Sequence, residues 1–172
     1  QGSKQQVERA SEEEIIEGLA AHIGDLIETD SDLMVVWGSG GTLRLIGEIL
    51  GHDLTLLGID IQHKDKIYTD LNEQQLIEIL EQHTGNKLLL LSPMGGQGFL
   101  IGRGNLQLSP AVLRLIGINS ILGVATPAKL TGLSNVRIDT GDGELDQELR
   151  ERKFVKMLQG YRTTRVIRVS GV

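Results

Sequence analysis

The run Leu33-Met34-Val35-Val36-Trp37-Gly38-Ser39-Gly40-Gly41-Thr42-Leu43 decides the fold class. Leu33 to Trp37 is a short, continuous apolar stretch, as expected of a strand buried on both faces. Three glycines, Ser39 and Thr42 follow at once. Leu43, Ile46, Ile49 and Leu50 then return at helical spacing, and Gly51 is a helix stop. A strand feeding a glycine turn and then a helix is half of a βαβ unit. Amides at such a helix start point outward, and glycine lets the backbone approach an anion closely. Gly38, Ser39, Gly40, Gly41 and Thr42 are therefore candidate phosphate contacts, with a tight turn that binds nothing as the plain alternative. The turn is not a Walker A loop, because no Lys follows the glycines. It is not the dinucleotide fingerprint, because Leu43 stands where the third Gly belongs.

The same alternation extends in both directions. Upstream, Ser11-Glu12-Glu13-Glu14 is a capping box that predicts a helix start, and Ile15, Ile16, Leu19, Ile23, Leu26 and Ile27 give it one apolar face. Residues 1–10 are polar without an apolar period and read as a linker or cloning remnant, with 11–172 as a single α/β domain. Downstream, Leu54 to Ile61 predicts a strand, Ile67-Tyr68 an extended segment, Asn72 a helix cap and Lys87 to Leu91 a third buried strand. Ser109-Pro110 and Thr126-Pro127 are N-caps followed by Pro at the first helical position, flanking a strand over Ile118 to Ala125. Val136 to Asp139 is extended, Asp142 precedes a helix, and two alternating segments around Gly160-Tyr161 predict a hairpin. The expected fold is α/β: a mostly parallel sheet flanked by helices, with a C-terminal antiparallel hairpin at its edge.

Composition narrows the function. Aromatics make up only 3% of the 172 residues, so Leu, Ile and Val must build the core. The formal net charge is -6, which argues against nucleic acid as a partner. The cluster Arg150, Arg152, Lys153, Lys156, Arg162, Arg165 and Arg168 reads as a solvated strand face, with an anion site as the alternative. With no Cys, disulfides, thiolate metal sites and Cys nucleophiles are excluded. No apolar run reaches the roughly 18 residues that span a bilayer. A cytoplasmic setting without membrane partners is the expectation.

Ser92-Pro93-Met94-Gly95-Gly96-Gln97-Gly98-Phe99-Leu100-Ile101-Gly102-Arg103-Gly104-Asn105 is the second unusual segment. Its five glycines lose much backbone entropy on folding. It follows a strand, where ligands bind in open α/β sheets. Gly95, Gly96 and Gly98 can approach a phosphate, Gln97 and Asn105 can hydrogen-bond a nucleotide, and Arg103 can clamp a phosphate. Among the acids, Asp60 lies in a strand and can orient a hydroxyl or hold Mg²⁺. Asp142 is either a helix N-cap or a carboxylate near phosphates. His22, His52, His63 and His83 show no ligand spacing, so no metal site is expected from them.

The segment Ser92 to Asn105, with Gln107, Ser109 and Pro110 behind it, resembles the ATP-NAD kinase family, in the branch that includes acetoin-catabolism accessory proteins. Val124-Ala125-Thr126-Pro127-Ala128-Lys129-Leu130, Asp139-Thr140-Gly141-Asp142 and Gly160-Tyr161-Arg162 are similar to later family blocks, in order. Leu56-Leu57-Gly58-Ile59-Asp60 and Asp70-Leu71-Asn72-Glu73 are similar to earlier ones. The likeness covers about Ser11 to Val169 and implies the C-terminal domain of a larger protein. It further implies phosphoryl transfer from ATP, with Mg²⁺, to the adenosine ribose 2'-hydroxyl of NAD. In that chemistry the glycine loops would cradle phosphates, Arg103 would neutralise charge and Asp60 would orient the hydroxyl. The family's Gly-Gly-Asp-Gly-Thr motif, tied to metal and catalysis, does not occur here. The resemblance thus implies a missing N-terminal domain as partner and a fragment inactive by itself. Other readings are a sugar-phosphate isomerase or deaminase-like phosphate-binding domain, and a non-catalytic nucleotide-sensing or assembly module. A homo-oligomer stays open.

Overall fold

The computed structural model describes residues 2–102 and 106–170. Helix α1 (Gly2–Thr29) leads into strand β1 (Met34–Trp37) and helix α2 (Gly41–Ile49). The short hairpin β2 (Asp60–His63) and β3 (Lys66–Tyr68) precedes α3 (Glu73–Gln82) and β4 (Lys87–Leu91). Then come β5 (Phe99–Ile101), α4 (Pro110–Ile116), β6 (Ile121–Val124), α5 (Pro127–Leu130), β7 (Asn135–Ile138) and α6 (Gly143–Glu151). A long hairpin, β8 (Phe154–Gly160) and β9 (Thr163–Ser170), completes the described fold.

The nine strands form one sheet in the order β3-β2-β1-β4-β6-β8-β9-β7-β5. Pairing is parallel from β1 through β4 and β6 to β8, and again from β9 through β7 to β5. It is antiparallel in the two hairpins and between β1 and β2. The α/β class, the mostly parallel sheet and the antiparallel C-terminal hairpin are as expected. The place of the hairpin differs: it lies inside the sheet. Met157 and Leu158 of β8 pair with β6, while Arg168, Val169 and Ser170 of β9 stand beside β7. Both outer rims of the hairpin are thereby occupied. The sheet ends instead on β3 and β5, each three residues long, which leaves little unpaired backbone.

Strand side chains alternate between two cores. Val35 and Trp37 of β1 and Leu90 of β4 face α1 and α2, packing with Leu19, Ile23, Leu43 and Ile46. Met34, Val36, Leu89 and Leu91 face α3 and α4, packing with Leu76, Leu80, Val112 and Leu113. The continuous apolar runs of β1 and β4 follow from burial on both sides. Trp37 is core, 1% exposed.

Local chemistry sets the helix starts. Asn72 and Gln75 form a reciprocal capping box at α3. Ser109 Oγ accepts from Val112 N–H, Thr126 Oγ1 accepts from Lys129 N–H, and Pro follows each cap. Three expectations change. α1 already runs from Gly2, so Ser11 lies inside the helix and does not start it; no Pro interrupts this stretch and most of its residues are helix formers. β2 begins at Asp60, because Thr55 to Gly58 turn around the Asp60 carboxylate. β6 begins at Ile121, after a short 3-10 turn over Ile118–Ser120.

Candidate functional site

β1, β4 and β6 are adjacent and parallel, so the segments leaving their C-terminal ends emerge side by side. Gly38 to Gly40 leaves β1, Ser92 to Gly98 leaves β4, and Ala125-Thr126 leaves β6 into α5. The chain leaving β1 turns into α2 on one face, whereas the chain leaving β4 reaches α4 on the other. Such a reversal opens a crevice at the strand ends, the usual ligand position in open α/β sheets.

The first turn is fixed by backbone packing. Gly38 N–H donates to Leu90 O at 2.9 Å. A Cβ on Gly38 would lie 2.7 Å from that same oxygen, so no other residue fits there without displacing β4. Gly40 is the α2 N-cap at φ 125°, a conformation open to glycine, and no side chain caps the helix. The first amides of α2 are thus left without an intrahelical acceptor. Gly41 meets nothing within 4 Å of a built Cβ, so the start of α2 is uncrowded at that position.

The second turn faces the same rim. Gly95 and Gly96 likewise meet nothing within 4 Å. Gln97 is exposed on the same turn. Pro93, Gly95 and Gly96 line a cavity of about 190 Å³ with Lys129, Thr131, Gly132 and Leu133. Lys129 Nζ donates to Ser92 Oγ at 3.3 Å, which holds the ammonium over the turn. Lys129 was not among the residues expected at the site. Its signal was the Thr126-Pro127 cap, in which Thr126 Oγ1 accepts from the Lys129 backbone N–H and so fixes where that residue starts the helix.

Asp60 sits one strand away from the first turn, paired with Trp37 across β1 and β2. Asp60 is 1% exposed, and its carboxylate accepts three hydrogen bonds: from Thr55 N–H at 2.6 Å, Thr55 Oγ1 at 2.8 Å and Asp70 N–H at 2.8 Å. The loop so held returns Leu56 O to Gly40 N–H at 2.9 Å. Asp60 therefore anchors the loop that supports the first turn, and its oxygens are committed.

Asp142 does not join this rim. β5 and β7 run opposite to β1, so the residues after β7 emerge at the other end of the sheet. There Asp142 caps α6, accepting from Glu144 and Leu145 N–H, and pairs with Arg114 Nη1 at 3.0 Å. The Leu145 amide, then Arg114, hold its carboxyl below the ordinary value. A carboxyl held low in the fold stabilises it fully above the unfolded value, and that stabilisation is lost as pH falls through the folded one. Asp142→Asn is expected to flatten the acid limb of stability, read as urea midpoints between about pH 2 and 5. Arg103 and Asn105 lie outside the described residues.

Two glycine turns and one ammonium thus lie at the carboxyl ends of three neighbouring strands. Against known proteins, a family model described as the ATP-NAD kinase C-terminal domain matches residues 32–169. The chain belongs to the ATP-NAD kinase C-terminal domain family. No curated protein and no solved structure gives a match. The matched stretch of this NAD kinase-like chain includes every described residue of the crevice. Elsewhere in it, two of the histidines that show no ligand spacing in the sequence come together in the fold. The rings of His63 and His83 stand 4.8 Å apart, beside Asp32. They are 20 residues apart in sequence, and only the β1–β2 and β1–β4 registers bring them together.

Proposed function

We propose that this chain supplies the phosphate-gripping half of an ATP-NAD kinase-like phosphotransferase. Its substrates are NAD and a phosphoryl donor such as ATP, and its product is NADP. The placing of both glycine turns and Lys129 at one rim of the sheet carries this reading. Amides of Gly41 and Thr42 and the backbone of Gly95 and Gly96 would take phosphate oxygens, and Lys129 would neutralise their charge. Ser39, Gln97 and Gly98 lie within the same turns and would border the ligand.

This donor set fits phosphates and does not fit Mg²⁺, which takes carboxylate and water oxygens. Asp60 has both oxygens engaged, so no catalytic step is assigned to it or to a metal held by it. The acid and the metal are assigned to another domain of the same protein, carrying the Gly-Gly-Asp-Gly-Thr motif that this sequence lacks. The sugar-phosphate isomerase alternative requires a free acid or base beside the first turn, and Asp60 is not free. Among the described residues no helix is long and apolar enough to cross a membrane.

Two measurements test the proposal. Melting of the purified chain is expected to rise with NAD, NADP or ATP and not with ribose 5-phosphate; a response to the sugar phosphate alone would move the site to the isomerase class. With ATP, NAD and Mg²⁺ present, no NADP is expected from this chain, and turnover would overturn the assignment of catalysis elsewhere.

A further inference from the structure

We propose that Asp32, His63 and His83 form a transition-metal site, best suited to Zn²⁺, at the N-terminal rim of β1. One ligand atom from each lies within 4.8 Å of the other two. The three come from separate segments: Asp32 from the α1–β1 turn, His63 from the end of β2 and His83 from the C-cap of α3. Strand register assembles them. Met34 stands beside His63 on one side and beside Lys87 on the other, which brings the ends of β2 and of the α3–β4 turn to the residue two before it.

The donor set defines the ion. Two imidazoles and one carboxylate suit Zn²⁺ and its transition-metal neighbours, whereas Mg²⁺ and Ca²⁺ prefer oxygen. Three protein ligands leave the fourth tetrahedral position for water. His63 Nε2 lies 2.9 Å from Asp32 Oδ1, within hydrogen-bond reach, and His83 Nε2 lies 3.2 Å from Asn86 O. To bind, each imidazole presents one ring nitrogen as a lone pair and keeps its proton on the other.

An outer layer holds these groups in place. Asp30 accepts from Asp32 N–H at 3.2 Å and from Asn86 Nδ2 at 2.9 Å, which ties the two turns together. Met34 N–H donates to Asn86 O at 3.0 Å. Gly85 leaves the centre clear: a Cβ there would lie within 2.4 Å of Asp32 Oδ2 and 3.0 Å of His83 Nε2. His63 and Asp32 keep 25% and 52% side-chain exposure, so an ion has an entry path. Lys64 Nζ, 4.0 Å from Asp32, is 62% exposed and free to swing into water. The site lies at the opposite end of β1 from the glycine turns. It would act as a clamp on three chain segments and not in phosphoryl transfer.

Calorimetric titration of the tag-free, EDTA-stripped chain with ZnCl₂ tests this. One Zn²⁺ per chain is expected, with a raised melting temperature and no competition from excess Mg²⁺. His63→Ala and His83→Ala are each expected to weaken binding by more than the roughly 10–100-fold typical of losing an outer-shell partner. His22→Gln is expected to leave it unchanged. If a histidine variant fails to fold, as shown by its melt in EDTA, the exposed Asp32→Asn carries the same decision. No Zn²⁺ binding at micromolar concentrations overturns the site. So does binding that survives in folded His63→Ala or Asp32→Asn, or that Mg²⁺ displaces. None of these results touches the nucleotide reading, which concerns the other rim.

Discussion

Lys129→Met is expected to weaken NAD binding about tenfold to a hundredfold while leaving the melting temperature nearly unchanged. Lys129 is exposed and donates one hydrogen bond, to Ser92. A charge-assisted bond to a phosphate oxygen is worth about 1.5–3 kcal/mol, and each 1.4 kcal/mol is about tenfold in affinity. An exposed substitution of this kind typically shifts stability by less than about 0.5 kcal/mol. Gly96→Asp provides the mirror experiment. A built Cβ at Gly96 meets nothing within 4 Å, so the fold has room for it, but a carboxylate there repels phosphate. Calorimetry read beside thermal melts checks both variants. Unchanged affinity in both would remove the second turn and α5 from the site.

Asp60→Ala is expected to cost about 3 kcal/mol of folding stability, because it strands two part-buried backbone donors and a hydroxyl. The expected consequences run in order. Thr55 and Asp70 lose their acceptor, the loop from Thr55 to Gly58 loosens, and Leu56 O no longer holds Gly40 N–H. Affinity for NAD should fall with stability. Asp60→Asn keeps the volume but turns one oxygen into a donor facing other donors, so it should recover only part of the loss. Urea midpoints check the stability term. A fully stable Asp60→Ala variant that had lost binding alone would mean that the carboxylate acts on the ligand directly.

How much of this was legible in the sequence depended on the range of the physics. The strand, turn and helix from Leu33 to Leu50 were readable, because burial on both faces leaves an uninterrupted apolar run that glycines then end. The caps at Asn72, Ser109, Thr126 and Asp142 were readable because each is a side chain bonding an amide two or three residues away. β5 was hidden inside the second glycine segment. It is three residues long and is stabilised by β7, which lies more than thirty residues downstream. The internal place of the β8–β9 hairpin was hidden for the same reason, since its outer partners β6 and β7 are remote in sequence. The separation of Asp142 from the glycine turns follows from the reversed direction of β7, which no local pattern records. The meeting of Asp32, His63 and His83 depends on the register of three strands.

Amide mapping by ¹⁵N NMR, with the labelled chain titrated with NAD, tests the joint crevice most directly. Shifts are expected together at Gly41, Thr42, Gly95 and Gly96, saturating with one affinity. Shifts confined to Asp139 through Gly141 at the other end of the sheet, or to one turn without the other, would contradict it.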